Sequence, residues 1–425
     1  MSDRDGGARA RPGAATGVGL AIEAATEHVE VLVRDAAGGT LALEVEDVGH
    51  GHTRRLTPIV ARALARANVA ARDLEWVAAD LGPGSFTGVR VGLATARGLA
   101  MAADARVLGA SSLAALALTS AARRSLVVPL VPAGRRDVYA GFFRADSRGT
   151  ITLLAAPCVG PAAEVLERVD EARAILGGAP VRFIGPGAAR ERDALERAHE
   201  GSAAHATREG GLSAEDLAAA ALSTRGVAAG LPGNGEDPAP VYVRAAQAEE
   251  RVRHRALAGE IVTLRAMRDD DLPAIAAIER QVFSDAWPES FFAGELAQPQ
   301  VDARVAEQDG AIVGYSLAWL GEGTGHLGNL AVAPGHRRRG IARRMLLDLF
   351  ERAQARGAGT LALEVRASNV AAQGLYRAHG FRLAGLRRGY YRDTGEDALV
   401  MERRPRDADM APAPATHEGG RRPGP

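Results

Sequence analysis

The chain has 425 residues, 47% of them hydrophobic, which is long enough for two or three domains with sizeable cores. Its 52 basic residues, all of them arginine, balance 52 acidic ones, so no net charge favours binding to nucleic acid or to an anionic membrane. Cys158 is the single cysteine, which excludes an internal disulfide and a cysteine metal cluster. A small core residue is a better interpretation of Cys158 than a reactive thiol.

The sequence shows no targeting or membrane signal. No apolar run approaches the about 20 residues of a membrane span, and residues 1–13 lack the apolar segment of a signal peptide. We therefore expect a cytoplasmic protein that does not bind membranes. Residues 1–15 and 406–425 are rich in glycine, proline, alanine and charge, and we expect both tails to be disordered.

Apolar alternation near the N-terminus predicts several strands and a helix. The turn at 23–26 joins the first two strands into a hairpin, and Thr53 is expected to cap a helix that runs past Leu64. His50 and His52 lack a third convergent ligand, so a solvated turn is a better interpretation than a metal site. The predicted strands are Val18–Ile22, Val29–Val33, Leu41–Val45 and Leu74–Leu81.

A glycine-rich loop at 82–92 leads into a helix of small residues that ends near Ala102. The loop lacks the Lys-Ser/Thr pair of a P-loop, and Arg90 and Arg97 exclude a membrane dimer motif. Close packing of this helix, inside the fold or against a partner, is the favoured interpretation. Small residues recur at every fourth position: Gly84, Gly88, Gly92, Ala96 and Ala100.

The stretch from about residue 145 to 239 is rich in alanine, and we predict mostly helices there, with one strand at Val181–Ile184. Residues 231–238 form a proline- and glycine-rich loop. The charged residues 245–259 are predicted to form a terminal helix or a hinge, with a linker at 249–259.

The segment Asp80–Leu93 resembles the signature of TsaB, the dimerisation subunit of the bacterial machinery that makes threonylcarbamoyladenosine in tRNA. Ser111–Leu116, Gly185–Ala188 and Pro240–Arg244 fit the same family, and the resemblance covers residues 16–248. It implies an actin-like, ribonuclease-H-like ATPase fold that has lost catalysis. It also implies pairing with TsaD, the catalytic homologue, through the helices at 53–64 and 87–99, with tRNA involved only indirectly.

Two departures from the ATPase pattern favour a non-catalytic role for this domain. The turn after the first strand is Glu23-Ala24-Ala25-Thr26 rather than an Asp-Thr/Ser turn, and Pro132 stands where the family has an acidic residue. The alternative hypothesis is an active, ATP-binding domain of the same fold.

Elements of a second α/β domain, at residues 260–405, follow the linker. The acidic cluster at 269–271 is expected to cap a helix, and Trp287 could line a groove or belong to the core. Further helices begin near Ile341 and after Asn369. The predicted strands are Ile261–Arg265, Ala303–Gln308, Ala311–Trp319, His326–Val332, Thr360–Arg366 and Ala398–Met401.

A basic loop joins the apolar strand Leu330–Val332 to the helix at Ile341. A helix start attracts anions through its free N–H groups, and Gly340 lets the backbone approach a ligand closely. The three arginines at 337–339 add positive charge. The pattern favours a pyrophosphate cradle, with a solvated basic loop as the alternative.

The motif Arg337-x-x-Gly340-x-Ala342 resembles the coenzyme A loop of the GNAT acetyltransferase superfamily. Leu363–Asn369, followed by Leu375-Tyr376 and Gly380-Phe381, resembles the RimI-type ribosomal-protein alanine N-acetyltransferases, and this resemblance covers residues 261–403. The predicted fold class is therefore two mixed α/β domains, a TsaB-like one and a GNAT one.

This second resemblance implies roles for individual residues. Glu364 is the expected general base, Tyr376 the expected general acid, and Asn369 a ligand of the coenzyme. The alternatives are a surface Glu364 paired with Arg366 and a packed, structural Tyr376. The expected acetyl-CoA contacts are the strand residues Leu330, Ala331 and Val332 and the loop residues Arg338, Arg339, Gly340, Ile341, Ala342 and Arg343.

The sequence thus predicts a bifunctional fusion. A scaffold that binds a TsaD-like subunit is joined to an enzyme that transfers acetyl from acetyl-CoA, without a metal, to the N-terminal alanine of a ribosomal protein. Alternatives are an acyl-CoA-binding module with little turnover, or an acetyltransferase for other N-termini, lysines or small amines. A homodimer is possible.

Overall fold

The structure is a computed structural model, and it describes residues 17–49, 51–120, 123–199, 203–205, 211–223, 238 and 262–404. The expected disordered tails, the linker at 249–259, the loop at 231–237 and the motif at 240–244 lie outside these residues, as does His50.

Two five-stranded sheets form the N-terminal half. The first contains β1 (Gly19–Glu23), β2 (His28–Arg34), β3 (Thr40–Asp47), β4 (Trp76–Asp80) and β5 (Arg106–Ala110). Its order is β3-β2-β1-β4-β5, with β1 antiparallel to β2 and parallel to β4. The predicted hairpin therefore forms one side of a mixed sheet.

The second sheet contains β6 (Ser125–Ala133), β7 (Asp137–Ala145), β8 (Ile151–Pro161), β9 (Val181–Ile184) and β10 (Ala203–His205). Its order is β10-β9-β6-β7-β8, so β8 is an edge strand. The predicted strand Val181–Ile184 is present and most of the described residues after 161 in this half are helical, but the sequence analysis missed the strand β8. A continuous apolar run such as that in β8 has no period of two, so its pattern does not distinguish a buried strand from a helix.

Helices cover both sheets of the N-terminal half. Helix α1 begins one residue before Thr53 and has Gly51 as its N-cap without a side-chain bond, so the predicted Thr53 cap was wrong. His52 is buried with its Nε2 2.8 Å from the Thr26 carbonyl oxygen, which also overturns the solvated turn. The helices are α1 (His52–Ala67), α2 (Phe86–Ala103), α3 (Ser112–Thr119), α4 (Ala162–Ile175), α5 (Pro186–Arg190), α6 (Arg192–Ala198) and α7 (Ala214–Leu222).

The small-residue stripe of α2 packs inside the fold, against the turn that follows β1. A Cβ added to Gly88 would lie 1.8 Å from the carbonyl oxygen of Ala24, and one added to Gly84 would lie 2.3 Å from that of Ala25. Only glycine permits this approach, because a backbone carbonyl cannot swing aside as a flexible side chain can. The stripe is therefore covered by the chain itself.

We expect Gly88→Ala to lower the free energy of unfolding by about 3 kcal/mol, because the new methyl group overlaps the Ala24 backbone. Gly98→Ala is the matched control on the same helix, since a Cβ there would meet nothing within 4 Å. It should raise stability by about 0.5–1 kcal/mol through helix propensity. Urea unfolding of both variants measures the difference, and equal midpoints would contradict the packing described here.

A seven-stranded mixed sheet forms the C-terminal half, in the order β11-β12-β13-β14-β15-β17-β16. Its strands are β11 (Thr263–Ala266), β12 (Val301–Gln308), β13 (Ala311–Leu320), β14 (Thr324–Val332), β15 (Thr360–Arg366), β16 (Arg382–Tyr391) and β17 (Glu396–Arg403). Its helices are α8 (Leu272–Val282), α9 (Glu289–Leu296), α10 (Ile341–Ala355) and α11 (Val370–Ala378). As predicted, the leucines and valine of β15 are buried while the intervening side chains are less so.

One hydrophobic cluster joins the two halves of the chain. It includes Phe142, Leu154 and Val165 from the N-terminal half and Leu363, Tyr376 and Phe381 from the C-terminal half. Helix α4 packs against β16, and α11 packs against β8. The halves therefore bury part of their apolar surface against each other. Within the described part of the chain, none of the helices combines the length and the apolar character that crossing a membrane requires.

Candidate active site

The central feature of the C-terminal sheet is the point where β14 and β15 part. Their parallel pairing runs from Thr324 opposite Thr360 to Leu327 opposite Leu363, and within residues 262–404 it goes no further. On its other side β14 stays paired with β13 as far as Val332. One edge of the strand end is thus left open, as an extended ligand requires.

The ladder alternation decides which of the predicted strand residues present backbone groups to that open edge. The Ala333 N–H donates to the Val313 carbonyl, so Ala331, two residues earlier, also directs its backbone groups at β13. The N–H and C=O groups of Leu330 and Val332 therefore lie on the open edge, where the Val332 carbonyl accepts a 3.2 Å hydrogen bond from Arg337 Nε. Of the three predicted contact residues, Leu330 and Val332 are the ones whose backbone suits an extended ligand.

The predicted anion loop follows directly. Arg338 and Gly340 both have left-handed backbones, with φ of 66° and 78°, and α10 then begins without a side-chain N-cap. Successive turns of this kind gather N–H groups into a concave anion site at the positive end of the helix. Arg338, Arg339 and Arg343 are exposed beside it. The geometry suits a diphosphate.

Glu364 lies on β15 just beyond the parting point, and its carboxylate contacts a histidine and an arginine side chain. Oε2 is 2.8 Å from His326 Nε2 and Oε1 is 3.1 Å from an Arg387 amino group. The hydrogen bond from His326 is the main reason that the pKa of Glu364 is lowered, despite burial that opposes it. Arg366, the partner of Glu364 in the alternative hypothesis, pairs with Asp393 at 2.9 Å.

The rings of His326, Trp319 and Trp287 follow one another in a row that begins at the Glu364 carboxylate. The Trp319 ring centroid is 5.9 Å from that of His326 and 6.3 Å from that of Trp287. Gly328 occupies the irregular part of β14 beneath them, where a Cβ would lie 2.3 Å from the Trp319 ring. Glycine at 328 therefore lets the indole lie against the strand. The sequence analysis singled out Trp287 but missed His326 and Trp319.

Helix α11 places the two remaining predicted residues. Asn369 is its N-cap, with the side-chain oxygen accepting the Ala372 N–H at 3.1 Å. Tyr376 is buried with its ring centroid 5.6 Å from that of Phe381, and burial raises the pKa of Tyr376 to about 12. Its hydroxyl therefore keeps its proton at neutral pH.

A further buried carboxylate, Glu279 of α8, lies behind β14. It accepts a 2.7 Å hydrogen bond from the Asn329 side chain, and desolvation raises the pKa of Glu279 to about 7. Its spacing of four residues from the buried Ile275 places it on the apolar face of α8, which was a detectable signal. The sequence analysis did not use that signal.

The raised pKa of Glu279 makes stability depend on pH. The folded state holds the Glu279 proton more tightly than the unfolded chain does. The contribution of Glu279 to the free energy of unfolding is therefore fully present below about pH 4.5 and is lost as the pH rises through about 7. Glu279→Gln removes this loss, which is at most about 3 kcal/mol. We expect the variant to gain thermal stability relative to wild type between pH 5 and pH 8, whereas the exposed control Glu289→Gln should not. A constant difference across that range would contradict the assignment.

The N-terminal half also buries two carboxylates, Glu23 and Asp80, near Ser112 and Thr26. Burial raises the pKa of both, that of Asp80 to about 6. The Ser112 hydroxyl donates to Asp80 at 2.8 Å, and the cavity between these residues has a volume of about 10 Å³. That volume accommodates about one water molecule. Across the described residues, no three His, Cys, Asp or Glu side chains converge in a way that could hold a metal ion.

Two family models match the chain in succession. One, described as TsaD, tRNA N6-adenosine threonylcarbamoyltransferase, matches residues 45–236, and one described as the acetyltransferase (GNAT) family matches residues 247–381. The N-terminal half is thus a TsaD/YeaZ-like domain, and the C-terminal half is a GNAT acetyltransferase domain. The predicted fold class of two mixed α/β domains is confirmed.

Individual relatives define the acetyltransferase more closely. The N-alpha-acetyltransferase RimI of Mycobacterium tuberculosis is 41% identical over 150 residues, covering 34% of this chain and 93% of that protein. The ribosomal protein bS18 alanine N-acetyltransferase of Escherichia coli is 36% identical over 141 residues, covering 33% of this chain and 95% of that protein. Through its C-terminal domain the chain belongs to the RimI family of ribosomal-protein alanine N-acetyltransferases.

Another relative spans both halves. An uncharacterized protein of Mycobacterium leprae is 32% identical over 399 residues, covering 90% of this chain and 98% of that protein. Among solved structures, a Pseudomonas aeruginosa protein with similarity to peptidase YeaZ is 28% identical, with 54% of this chain and 100% of that chain covered and a TM-score of 0.41. The Escherichia coli ribosomal-protein-S18-alanine N-acetyltransferase is 34% identical, with 34% and 94% covered and a TM-score of 0.32.

Proposed function

We propose that the C-terminal domain transfers an acetyl group from acetyl-CoA to the N-terminal α-amine of a ribosomal protein that begins with alanine. The observation that carries the proposal is the parting of β14 and β15 beside the arginine loop, with the Glu364 carboxylate just beyond it. The names of the relatives in Mycobacterium tuberculosis and Escherichia coli support this choice of acceptor.

The open edge of β14 is proposed to bind the pantetheine arm of acetyl-CoA through the backbone of Leu330 and Val332. The loop 338–343 then binds the diphosphate, because its N–H groups donate directional hydrogen bonds and its three exposed arginines supply positive charge. Since Asn369 uses its side-chain oxygen to cap α11, its amide NH₂ is the group proposed to contact the coenzyme.

Glu364 is proposed to prepare the acceptor. An N-terminal ammonium, with a pKa of about 7.7–8.0, must lose a proton before it can attack the thioester. Arg387 is 56% exposed and shares Oε1 of the carboxylate, so an incoming ammonium can displace it there. His326 stays on Oε2 and fixes the carboxylate in place. Glu364 then accepts the proton directly or through one water molecule.

Tyr376 is proposed to stabilise the leaving sulfur of coenzyme A. Its pKa of about 12 lies above that of a free thiol, about 8.5, so complete proton transfer to the thiolate is uphill. A hydrogen bond from the hydroxyl to the developing thiolate is the role that fits this pKa.

The first test measures coenzyme A release with acetyl-CoA and a peptide that begins with alanine. We expect Glu364→Gln to lower kcat by at least about 100-fold, because the amide neither accepts a proton nor attracts an ammonium. His326→Gln should lower it about tenfold through loss of orientation. Glu351→Gln, an exposed change on α10, is the control. No release by wild type, or equal release by wild type and Glu364→Gln, would refute the assignment.

We further propose that the N-terminal domain is a non-catalytic scaffold for tRNA threonylcarbamoyladenosine modification that binds a TsaD-like subunit. The exposed face of α2 supports this, because it combines small residues with large apolar ones. Met101 is 86% exposed, and Phe86 is about half exposed with the Arg90 guanidinium stacked on its ring. Ala94 and Gly98 leave a shallow strip between Arg90 and Met101. A partner helix can approach such a strip closely. The cavity of about 10 Å³ at Asp80 gives no support to the ATP-binding alternative.

Gly98→Arg tests this surface. The substitution should leave the fold intact, since a Cβ at 98 meets nothing within 4 Å and arginine is a good helix former. We expect it to weaken binding of a TsaD-like subunit at least about tenfold in a calorimetric titration, because the long charged side chain fills the strip. Ala174→Arg, on the exposed face of α4, is the control. Unchanged affinity of Gly98→Arg would move the docking surface elsewhere.

A further inference from the structure

A buried glutamine connects the two domains beside the proposed acetyltransferase site. Gln373 of α11 is 1% exposed, and its Oε1 accepts the backbone N–H of Ala156, on β8 of the N-terminal half, at 2.6 Å. Its Nε2 donates to the carbonyl oxygens of Arg366 and Ala367 at 3.1 and 2.8 Å. One side chain therefore links an edge strand of one domain to the end of β15 in the other.

The local structure of β8 explains why the Ala156 N–H is available. The pairing of β7 with β8 shifts register between Ala140, opposite Cys158, and Phe142, opposite Ala155. The shift leaves Ala156 and Pro157 as a bulge on an edge strand. Glutamine carries both an acceptor and two donors, so it can bind this N–H and the two carbonyls together.

The surrounding contacts hold α11 against the N-terminal domain. Arg377, one turn after Gln373, pairs with Glu171 of α4 at 3.0 Å, and both side chains are largely buried. Val370, at the start of α11, packs against the apolar cluster that contains Leu113 and Phe143. Tyr376 belongs to the cluster shared by both halves. The helix that carries Asn369 and Tyr376 thus has the N-terminal domain as one of its walls.

We propose that β8 of the N-terminal domain is the back wall of the acetyltransferase site, and that Gln373 is the positioning residue through which it acts. Arg366 and Ala367, whose carbonyls accept hydrogen bonds from Gln373, follow Glu364 by two and three residues, at the last position of the same strand and directly after it. The inference rests on the proposed function in one respect, the role of Glu364. The contact between Gln373 and Ala156 joins two domains, and each of the two family models matches only one of them.

The energetics favour an all-or-none contact. Withdrawing β8 would leave the glutamine oxygen without its donor in a buried place, at a cost of about 1–3 kcal/mol. A misplacement of about 1 Å at a catalytic carboxylate can lower a rate as much as about 100-fold. A displacement of β8 in the N-terminal domain would therefore change the position of the strand that carries Glu364, because a short chain of hydrogen bonds connects the two.

The test uses the full-length chain and one variant from each side of the contact. Gln373→Leu removes the side-chain oxygen and amide. Ala156→Pro removes the N–H in the N-terminal domain, and its ring also fixes φ at residue 156 and restricts Ala155, so its folding is measured separately. We expect each to lower kcat about tenfold. The KM for acetyl-CoA should rise less, about two- to threefold, because the loop 338–343 is untouched and only the coenzyme contacts on α11, Asn369 and Tyr376, are affected. The double variant should be no slower than Gln373→Leu, since both changes break one link. Gln298→Leu, an exposed change in the same domain, is the control.

Two further measurements separate positioning from simple loss of structure. Thermal unfolding shows whether Ala156→Pro folds, and if it does not, Glu171→Ala replaces it with an expected fall of about threefold in kcat. Hydrogen exchange at residues 366–372 should rise in the variant that changes only the N-terminal domain, whatever the acceptor proves to be. Wild-type kcat and exchange in that variant would overturn the inference. A wild-type protein that is inactive on the alanine peptide would refute only the proposed function.

Discussion

The C-terminal domain depends on one event in its sheet, the loss of pairing between β14 and β15 after Leu327 and Leu363. While the strands are paired they form an ordinary parallel ladder. Where they part, Leu330 and Val332 turn their backbone groups away from β13, with the Val332 carbonyl accepting a hydrogen bond from Arg337 Nε, and β15 carries the largely buried Glu364 carboxylate just beyond its last paired residue. On the proposed function, a cofactor-binding edge and an acceptor carboxylate thus arise from the same gap, and the arginine loop follows the end of β14.

In the N-terminal domain the backbone is closely packed rather than parted. Gly84 and Gly88 bring α2 against the turn at Ala24 and Ala25, which fills space that a more open arrangement would leave beside Glu23 and Asp80. The two carboxylates consequently face a cavity for about one water molecule, and burial raises the pKa of each.

Motif and periodicity predicted most of the elements that surround the proposed site. The period-two pattern placed Glu364 correctly on its strand. Sequence could not supply partners from distant segments. His326 and Arg387 meet Glu364 only through tertiary structure, and the edge strand β8 was missed because an unbroken apolar run has no period. The contact of Gln373 with Ala156 spans 217 residues and left no local pattern.

Arg387 contacts the same Glu364 oxygen that is proposed to bind the acceptor, and this affects how the product leaves. Arg387 and an acceptor ammonium are both cations, and they compete for one carboxylate oxygen. On the proposed function, acetylation turns the ammonium into a neutral amide, so once Glu364 has passed the accepted proton to water its carboxylate is left without a counter-charge. The guanidinium, which is tethered and always charged, then recovers its place and displaces the modified chain end. Turnover would thus be driven forward by a change of charge on the product, without any movement of the sheet.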